Sequence, residues 1–182
     1  MKHSRLTLGK IDLTAIALGL ALGAAATFPA LASGGDSGGS TPTCKKGQVY
    51  DAKKKGCVKA ERGVLPDQQL TEYAYALAKE GRYVEALNTL DLLDNPNTAR
   101  ALNYRGFATR KLGRTEEGIS YYLKSVALDP NYAQVREYLG EAYVIEGKLD
   151  LAKEQLTTIK SICGTNCEEY LDLADAISSA KL

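Results

Sequence analysis

Histidine, methionine and tryptophan are almost missing from this 182-residue sequence. Its one histidine is His3, its one methionine is Met1, and it has no tryptophan. Everything after residue 3 therefore lacks an imidazole for acid–base catalysis, for activating a nucleophile or for binding a metal. This composition excludes Ser-His-Asp and Cys-His catalytic sites and histidine metal sites, and we expect a protein that is not an enzyme and binds no cofactor or metal.

Long apolar runs are equally scarce. The one extended run, AIALGLALGAAATF, covers residues 15–28, follows a basic N-terminus and precedes the small-x-small sequence Ala30-Leu31-Ala32. This order predicts a secretory signal peptide over residues 1–32, cleaved after Ala32. A bilayer-spanning helix needs roughly 20 apolar residues, so the run is short for a membrane anchor, which remains the alternative. We expect an exported protein, periplasmic in a bacterium or secreted, with no membrane span in the mature chain.

No strong charge of either sign marks the remaining chain. After Ala32 there are 20 Lys and Arg against 21 Asp and Glu, a net charge of −1, which argues against nucleic-acid binding. The charge is unevenly placed, because residues 44–62 carry a net +5 and residues 63–182 a net −5. Residues 33–43 are rich in Gly and Ser and are predicted to be a flexible linker. The chain is thus expected to consist of segments 1–32, 33–43, 44–62 and 63–182.

The basic segment, CKKGQVYDAKKKGCV, is bounded by Cys44 and Cys57. Val49-Tyr50 and Cys57-Val58 flank a polar turn that contains Lys and Gly, which predicts a small disulfide-closed β-hairpin. Its candidate basic patch is Lys45, Lys46, Lys53, Lys54 and Lys55. One hypothesis is that these lysines bind an anionic envelope polymer or an acidic partner; the alternative is a folded tail without a binding role.

Residues 63–182 show helical periodicity and repeat themselves. Gly81, Gly113 and Gly147 each lie in a short break, at spacings of 32 and 34 residues. A small residue stands seven positions before each of these glycines and another five positions after it: Ala74, Gly106 and Gly140, then Ala86, Gly118 and Ala152. Two helices of a hairpin can cross closely only where such side chains meet, so the pattern predicts three helix hairpins.

This region resembles the tetratricopeptide repeat family. The best unit is ARALNYRGFATRKLGRTEEGISYYLKSVALDPNY, residues 99–132, and residues 133–164 and 67–98 give two further units. The departures from the motif are Arg105, Gly118, Ser125 and Arg136. The resemblance implies an all-α, right-handed α-solenoid of about three hairpins plus a C-terminal capping helix over residues 166–180. An unrelated helical bundle is the alternative.

The resemblance also implies a binding face, because such folds bind partners on the concave side lined by the first helix of each hairpin. The residues expected there are Tyr75, Lys79, Arg100, Asn103, Phe107, Arg110, Glu137 and Glu141. We expect the cationic residues around Phe107 to hold an acidic or C-terminal peptide segment. The predicted function is a non-enzymatic adaptor of the cell envelope that binds a protein or peptide. The alternative is an envelope-polymer binding protein in which the basic segment makes the contact.

The acidic pairs in the sequence do not change this prediction. Glu116-Glu117 and Glu168-Glu169 are adjacent on predicted helices. Neighbouring helical residues point about 100° apart, so neither pair converges on one substrate as acid–base catalysis requires. Acids are also favoured in the first turn of a helix. We therefore interpret both pairs as helix-start residues.

The four cysteines form two local pairs. In an oxidising compartment, proximity in the sequence favours disulfides Cys44–Cys57 and Cys163–Cys167. The second pair closes ICGTNCEEY, in which Gly164 is predicted to end one helix and Thr165 to cap the next. It is interpreted as a clamp on the capping helix, with a redox-active pair as the alternative. On that helix, an apolar stripe is expected to face the last repeat. The acids expected to face largely outward are Glu168, Glu169, Asp172 and Asp175.

Overall fold

Residues 41–180 form two short strands and seven helices in the structure, a computed structural model that describes this part of the chain. The predicted signal peptide and nearly all of the predicted linker lie outside the described residues. In chain order the elements are β1 (Gln48–Asp51), β2 (Gly56–Lys59), α1 (Asp67–Lys79), α2 (Tyr83–Leu90), α3 (Ala99–Lys111), α4 (Thr115–Leu128), α5 (Ala133–Ile145), α6 (Leu149–Cys163) and α7 (Glu168–Ser179). None of these helices has the length and apolarity needed to cross a bilayer.

The three periodic glycines separate the two helices of each hairpin. Gly81, Gly113 and Gly147 have φ values of 78°, 82° and 70°, a left-handed conformation that disfavours residues with a Cβ. The residue after each glycine donates its backbone N–H to a carbonyl five residues earlier, as Lys148 does to Tyr143 over 2.8 Å. The two helices of each hairpin, α1 with α2, α3 with α4 and α5 with α6, pack against each other across these turns. This arrangement confirms the predicted all-α repeat solenoid.

Two glycines allow helices α3 and α4 to cross closely. A Cβ added at Gly106 would lie 2.6 Å from the Tyr122 ring, and one added at Gly118 would lie 3.0 Å from the Gly106 carbonyl oxygen. The Tyr122 side chain is completely buried in this crossing. The glycine at position 118, a departure from the repeat motif, therefore fits the close approach of the α3 backbone at Gly106 and Arg110.

The capping helix α7 packs on both helices of the last hairpin. Leu173 and Ile177 of its apolar stripe are buried, in agreement with the sequence pattern. The helix begins at Glu168, after an extended Cys167 that makes no side-chain cap, so the predicted cap at Thr165 is wrong. Gly164, at φ 85°, ends α6 as predicted. The disulfide Cys163–Cys167 is confirmed and joins these two helix ends.

The disulfide-closed hairpin packs against the first helix pair. Its strands are antiparallel, with Val49 opposite Val58, and the predicted bond Cys44–Cys57 is confirmed. Val49 is fully buried against the helical core. The Cys44 backbone N–H donates to the Tyr73 hydroxyl over 2.8 Å, and Arg82 donates to the Cys44 carbonyl over 2.7 Å. The hairpin therefore covers the N-terminal end of the repeats, where a solenoid has no preceding unit to bury its apolar surface.

Candidate functional site

A groove of about 290 Å³ lies along the first helices of the hairpins and the start of α7. Its walls come from α1, α3, α5 and α7, each of which contributes residues about one helical turn apart. The lining residues are Tyr75, Lys79, Phe107, Lys111, Gln134, Glu137, Tyr138, Glu141, Glu168, Glu169 and Asp172. We call this cavity the groove.

Stacked aromatic rings form the base of the groove. Tyr75 stacks on Tyr104 with ring centroids 4.3 Å apart, and Phe107 lies 4.9 Å from the Tyr138 ring. The Tyr75 and Tyr138 hydroxyls are 3.2 Å apart, which ties α1 to α5. Burial raises the pKa of the Tyr138 phenol, with a further contribution from its bond to Tyr75. Tyr138 therefore stays protonated at ordinary pH and acts as a packing and hydrogen-bonding group.

Acidic side chains line one side of the groove, and two lysines lie on the other. The acidic wall consists of Glu137 and Glu141 from α5 and Glu168, Glu169 and Asp172 from α7. On the opposite side, Lys79 lies 5.9 Å from the Tyr75 ring centre and Lys111 lies 5.4 Å from that of Phe107. The groove thus has one acidic side and one aromatic side with cations above the rings.

Arg110, predicted to hold a partner, is used inside the protein. It is only 6% exposed, and its Nη2 donates to Glu141 over 2.6 Å while its Nε donates to the Tyr122 hydroxyl over 3.3 Å. Burial acts to lower the pKa of this guanidinium, but Tyr122 and Glu141 outweigh it and raise the pKa overall. Arg110 therefore remains charged and neutralises one acid of the acidic wall from within the core.

Asn103 and Arg100, two other predicted contacts, lie away from the groove. Asn103 is completely buried, and its amide donates to the Tyr132 hydroxyl and to Gln134 over 3.1 and 3.0 Å. Arg100 is exposed and lies 3.9 Å from Glu72, beside a separate cavity of about 230 Å³. The predicted cationic strip around Phe107 therefore does not form one surface, because two of its members serve the core.

The structure does bring five of the predicted residues to the groove: Tyr75, Lys79, Phe107, Glu137 and Glu141. The sequence reasoning missed Tyr138 and the acids of α7. Glu168 and Asp172 are solvent-exposed, as expected, and Glu169 is partly exposed. Because α7 packs on α5 as the first helix of a further repeat would, all three acids also border the groove. Extending the repeat period by one more unit would have predicted this placement.

The candidate basic patch is divided in the structure. Lys53, Lys54 and Lys55 lie in the turn between β1 and β2, whereas Lys45 and Lys46 precede β1 at the other end of the hairpin. All five are exposed, and Lys54 lies 3.7 Å from Asp51. The two lysine groups are separated by the length of the strands, so they do not form one continuous cationic surface.

The two C-terminal cysteines do not form a metal site. Their sulfurs lie near a Glu169 oxygen, but they are joined to each other, and metal binding requires free thiolates. Elsewhere in residues 41–180, no three Cys, His, Asp or Glu ligand atoms come together within 4.8 Å. The groove is therefore lined by separated carboxylates.

Comparison with known proteins identifies the fold. No protein-family model matches the chain, and no curated protein matches it. Among solved structures, the first TPR domain of human RPAP3 is 22% identical with a TM-score of 0.52, and the match covers 63% of this chain and 94% of that one.

Two structures of chaperone complexes match as well. PcrH in complex with the chaperone binding region of PopB is 21% identical with a TM-score of 0.51, covering 65% of this chain and 98% of that one. The Yersinia enterocolitica type III secretion chaperone SycD in complex with a peptide of the translocator YopD is 19% identical with a TM-score of 0.50, covering 65% and 93%. These matches show that the covered part of this chain, 63–65% of it, has a tetratricopeptide-repeat fold.

Proposed function

We propose that this protein is a non-enzymatic adaptor of the cell envelope that binds a segment of a partner protein in the groove. The observation that carries the proposal is the groove itself, a cavity built by three successive repeats and α7 and lined on facing sides by charged and aromatic groups. Such a cavity accommodates side chains of an extended or helical segment. A volume of about 290 Å³ lies at the small end of the range for small-molecule sites, which favours side chains over a whole cofactor.

The related folds support a peptide ligand. Two of the matched structures are complexes, PcrH with a region of PopB and SycD with a peptide of YopD. The envelope setting is supported by the sequence of residues 1–32 and by two disulfides, which persist in oxidising compartments. The absence of histidine beyond residue 3 supports a binding role over catalysis.

Site-specific photocrosslinking in living cells tests this proposal. A photoreactive amino acid replaces Lys111 at the groove, and the matched control replaces Lys124, an exposed lysine of α4 that does not line the groove. We expect a discrete protein adduct from position 111 and none from position 124. Equal adducts from both positions, or none from either, would contradict the proposal.

The same experiment addresses the basic segment. Deleting the hairpin would expose the core around Val49, so the variant Lys53→Gln/Lys54→Gln/Lys55→Gln removes charge without removing packing. If the adduct at position 111 persists in this variant, the basic turn is not needed for binding. If the adduct disappears while the fold is intact by circular dichroism, the groove is not the primary contact.

A further inference from the structure

Glu137 is a buried carboxylate that opens into the groove and has no partner of its own. It is 7% exposed, yet it lines the groove from the first half of α5. Within residues 41–180, no group donates a hydrogen bond to its carboxylate, and no basic side chain lies within ion-pair distance; the Arg110 guanidinium is bound to Glu141 instead. A carboxylate on so largely buried a residue is less stable in its charged form than one in free solution, unless it meets a cation.

The charged groups that face Glu137 are mostly acidic. Glu141 follows it on α5, and Glu168, Glu169 and Asp172 face it from α7. Helix α3 contributes Lys111 and also Arg110, which is paired with Glu141. Helix α1 contributes Lys79, and the Tyr122 phenol approaches Glu137 from α4. Burial first, and then these four acids, raise the pKa of Glu137 to about 8.

The two lysines of the groove do not neutralise the acidic wall. Lys79 and Lys111 lie over the rings of Tyr75 and Phe107 on the opposite side, and neither is within 4.0 Å of an acidic oxygen in the described part of the chain. Of the five acids of the acidic wall, only Glu141 has a basic side chain within 4.0 Å among the described residues, and that side chain is Arg110. The other four acids of the wall therefore have no cationic partner, and a positively charged group of a ligand would supply one.

The shape of the site favours an organic cation over a metal ion. A hard cation such as Ca²⁺ is held by six to eight converging oxygens. In residues 41–180 no three carboxylates of the acidic wall bring an oxygen within 4.8 Å of one another. The carboxylates instead border a cavity of about 290 Å³ that the side chains of Tyr75, Phe107 and Tyr138 also line. An aliphatic stem packs well on such rings while its charged head reaches the acids.

We propose that the groove recognises a basic side chain, an arginine or lysine of the partner segment, whose charged head binds Glu137 and the α7 acids and whose stem packs against the aromatic side chains that line the groove. This inference rests on the proposed peptide-binding function and specifies the chemistry of the segment. It reverses the expectation of an acidic ligand, because Arg110 and Asn103 are bound within the core.

Binding of such a side chain is coupled to loss of a proton. The empty site holds Glu137 largely protonated at pH 7, whereas an ammonium or guanidinium beside it stabilises the carboxylate. Formation of the complex below pH 8 therefore releases a proton. The affinity for the basic peptide rises with pH until Glu137 is already ionised in the empty site. A peptide held only by packing and backbone contacts shows neither effect.

Selection of random dodecapeptides displayed on phage, with the oxidised full chain as target, tests the proposal. We expect the selected peptides to contain an arginine or lysine at one recurrent position. Replacing that residue with citrulline or norleucine should weaken binding by about tenfold in fluorescence polarisation. Glu137→Gln should cause a similar loss for the basic peptide and none for its neutral analogue. The matched control Asp175→Asn, an exposed acid of α7 outside the groove, should bind like the wild type.

Titration calorimetry in two buffers of different ionisation enthalpy supplies a second readout. At pH 7 the wild type should release about one proton per basic peptide bound, and Glu137→Gln should release none. If selection yields no binding peptide, the proposed function itself fails. If peptides bind but neutral and basic analogues bind equally, or if Ca²⁺ at millimolar concentration displaces the basic peptide competitively, the function stands and the basic-side-chain inference is wrong.

Discussion

The Leu173 side chain on α7 occupies the space beside Gly140 on α5. A Cβ added at residue 140 would lie 2.5 Å from Leu173 Cδ2. Leu173 is completely buried there, so this contact fixes how closely α7 approaches the last repeat. Because α7 also carries three of the five acids of the acidic wall, the contact sets the width of the groove.

The substitution Gly140→Ala should destabilise the C-terminal end of the domain. The added methyl group displaces Leu173, and overpacking of this kind costs about 1–3 kcal/mol. Urea unfolding followed by circular dichroism measures the loss. Gly56→Ala is the control, since a Cβ there meets only a carbonyl oxygen at 3.8 Å. An equal effect of both substitutions would show that the close α5–α7 contact is not responsible.

Reduction of the disulfide Cys163–Cys167 should loosen α7. A loop this short contributes about 2 kcal/mol in the chain-entropy description, and the bond joins the end of α6 to the start of α7. Amide hydrogen exchange of Cys163→Ser/Cys167→Ser should show faster exchange in α7 and unchanged protection in α1. In the double variant Cys44→Ser/Cys57→Ser, exchange should instead be faster in α1, and the protection of α7 should be unchanged. Uniform loss of protection in either variant would contradict a local clamp.

Removal of Arg110 should be costly because its partners stay in place. Arg110→Ala leaves Glu141 and the Tyr122 hydroxyl without their donor, and losing hydrogen bonds from a buried charged group to a half-buried partner costs about 2 kcal/mol. Arg114→Ala is the control, since its pair with Glu117 is solvent-exposed and contributes about 0.5 kcal/mol. Thermal unfolding of both variants compares the two pairs. A small effect at position 110 would mean that Arg110 is not part of the framework.

The hydroxyl of Tyr73 should stabilise the hairpin against α1. The hydroxyl accepts a buried hydrogen bond from the Cys44 N–H. The substitution Tyr73→Phe leaves that N–H without a partner, at a cost of about 1–3 kcal/mol in stability. Faster hydrogen exchange in β1 and β2, with α5 unchanged, is the expected result. Tyr121→Phe on α4 serves as the control for removing a tyrosine hydroxyl elsewhere, and it should leave exchange in the hairpin unaltered.

The ionisation of Glu137 should make the fold less stable at alkaline pH. Its pKa of about 8 in the folded chain exceeds its ordinary value of 4.5, so the folded state binds the proton more tightly than the unfolded state. The free energy of unfolding is therefore unaffected below about pH 4, falls as pH rises from about 5 to 8, and levels off above that, a total of about 5 kcal/mol. Urea unfolding at several pH values should show this decline in the wild type and a flatter profile in Glu137→Gln. A wild-type profile that rises through this range would contradict the buried, unpartnered state of Glu137.

Much of the architecture follows from local patterns in the chain. The glycine period, the small residues at helix crossings and the helix-ending Gly164 depend on backbone conformation and steric size, which act over a few residues. The hairpin strands and both disulfides likewise join residues close in the sequence. Such features are visible without knowing what lies on the far side of the molecule.

The chemistry of the groove depended on contacts between distant residues. Arg110 meets Glu141 from 31 positions away, and Asn103 meets Tyr132 from 29, so the sequence pattern that placed them on one face could not show that they are already bound. The direction of the α7 acids was set by the packing of Leu173 on Gly140. Local periodicity thus specified the repeats, whereas long-range packing, through burial and ion pairing, decided which side chains remain free to meet a partner and with which charge.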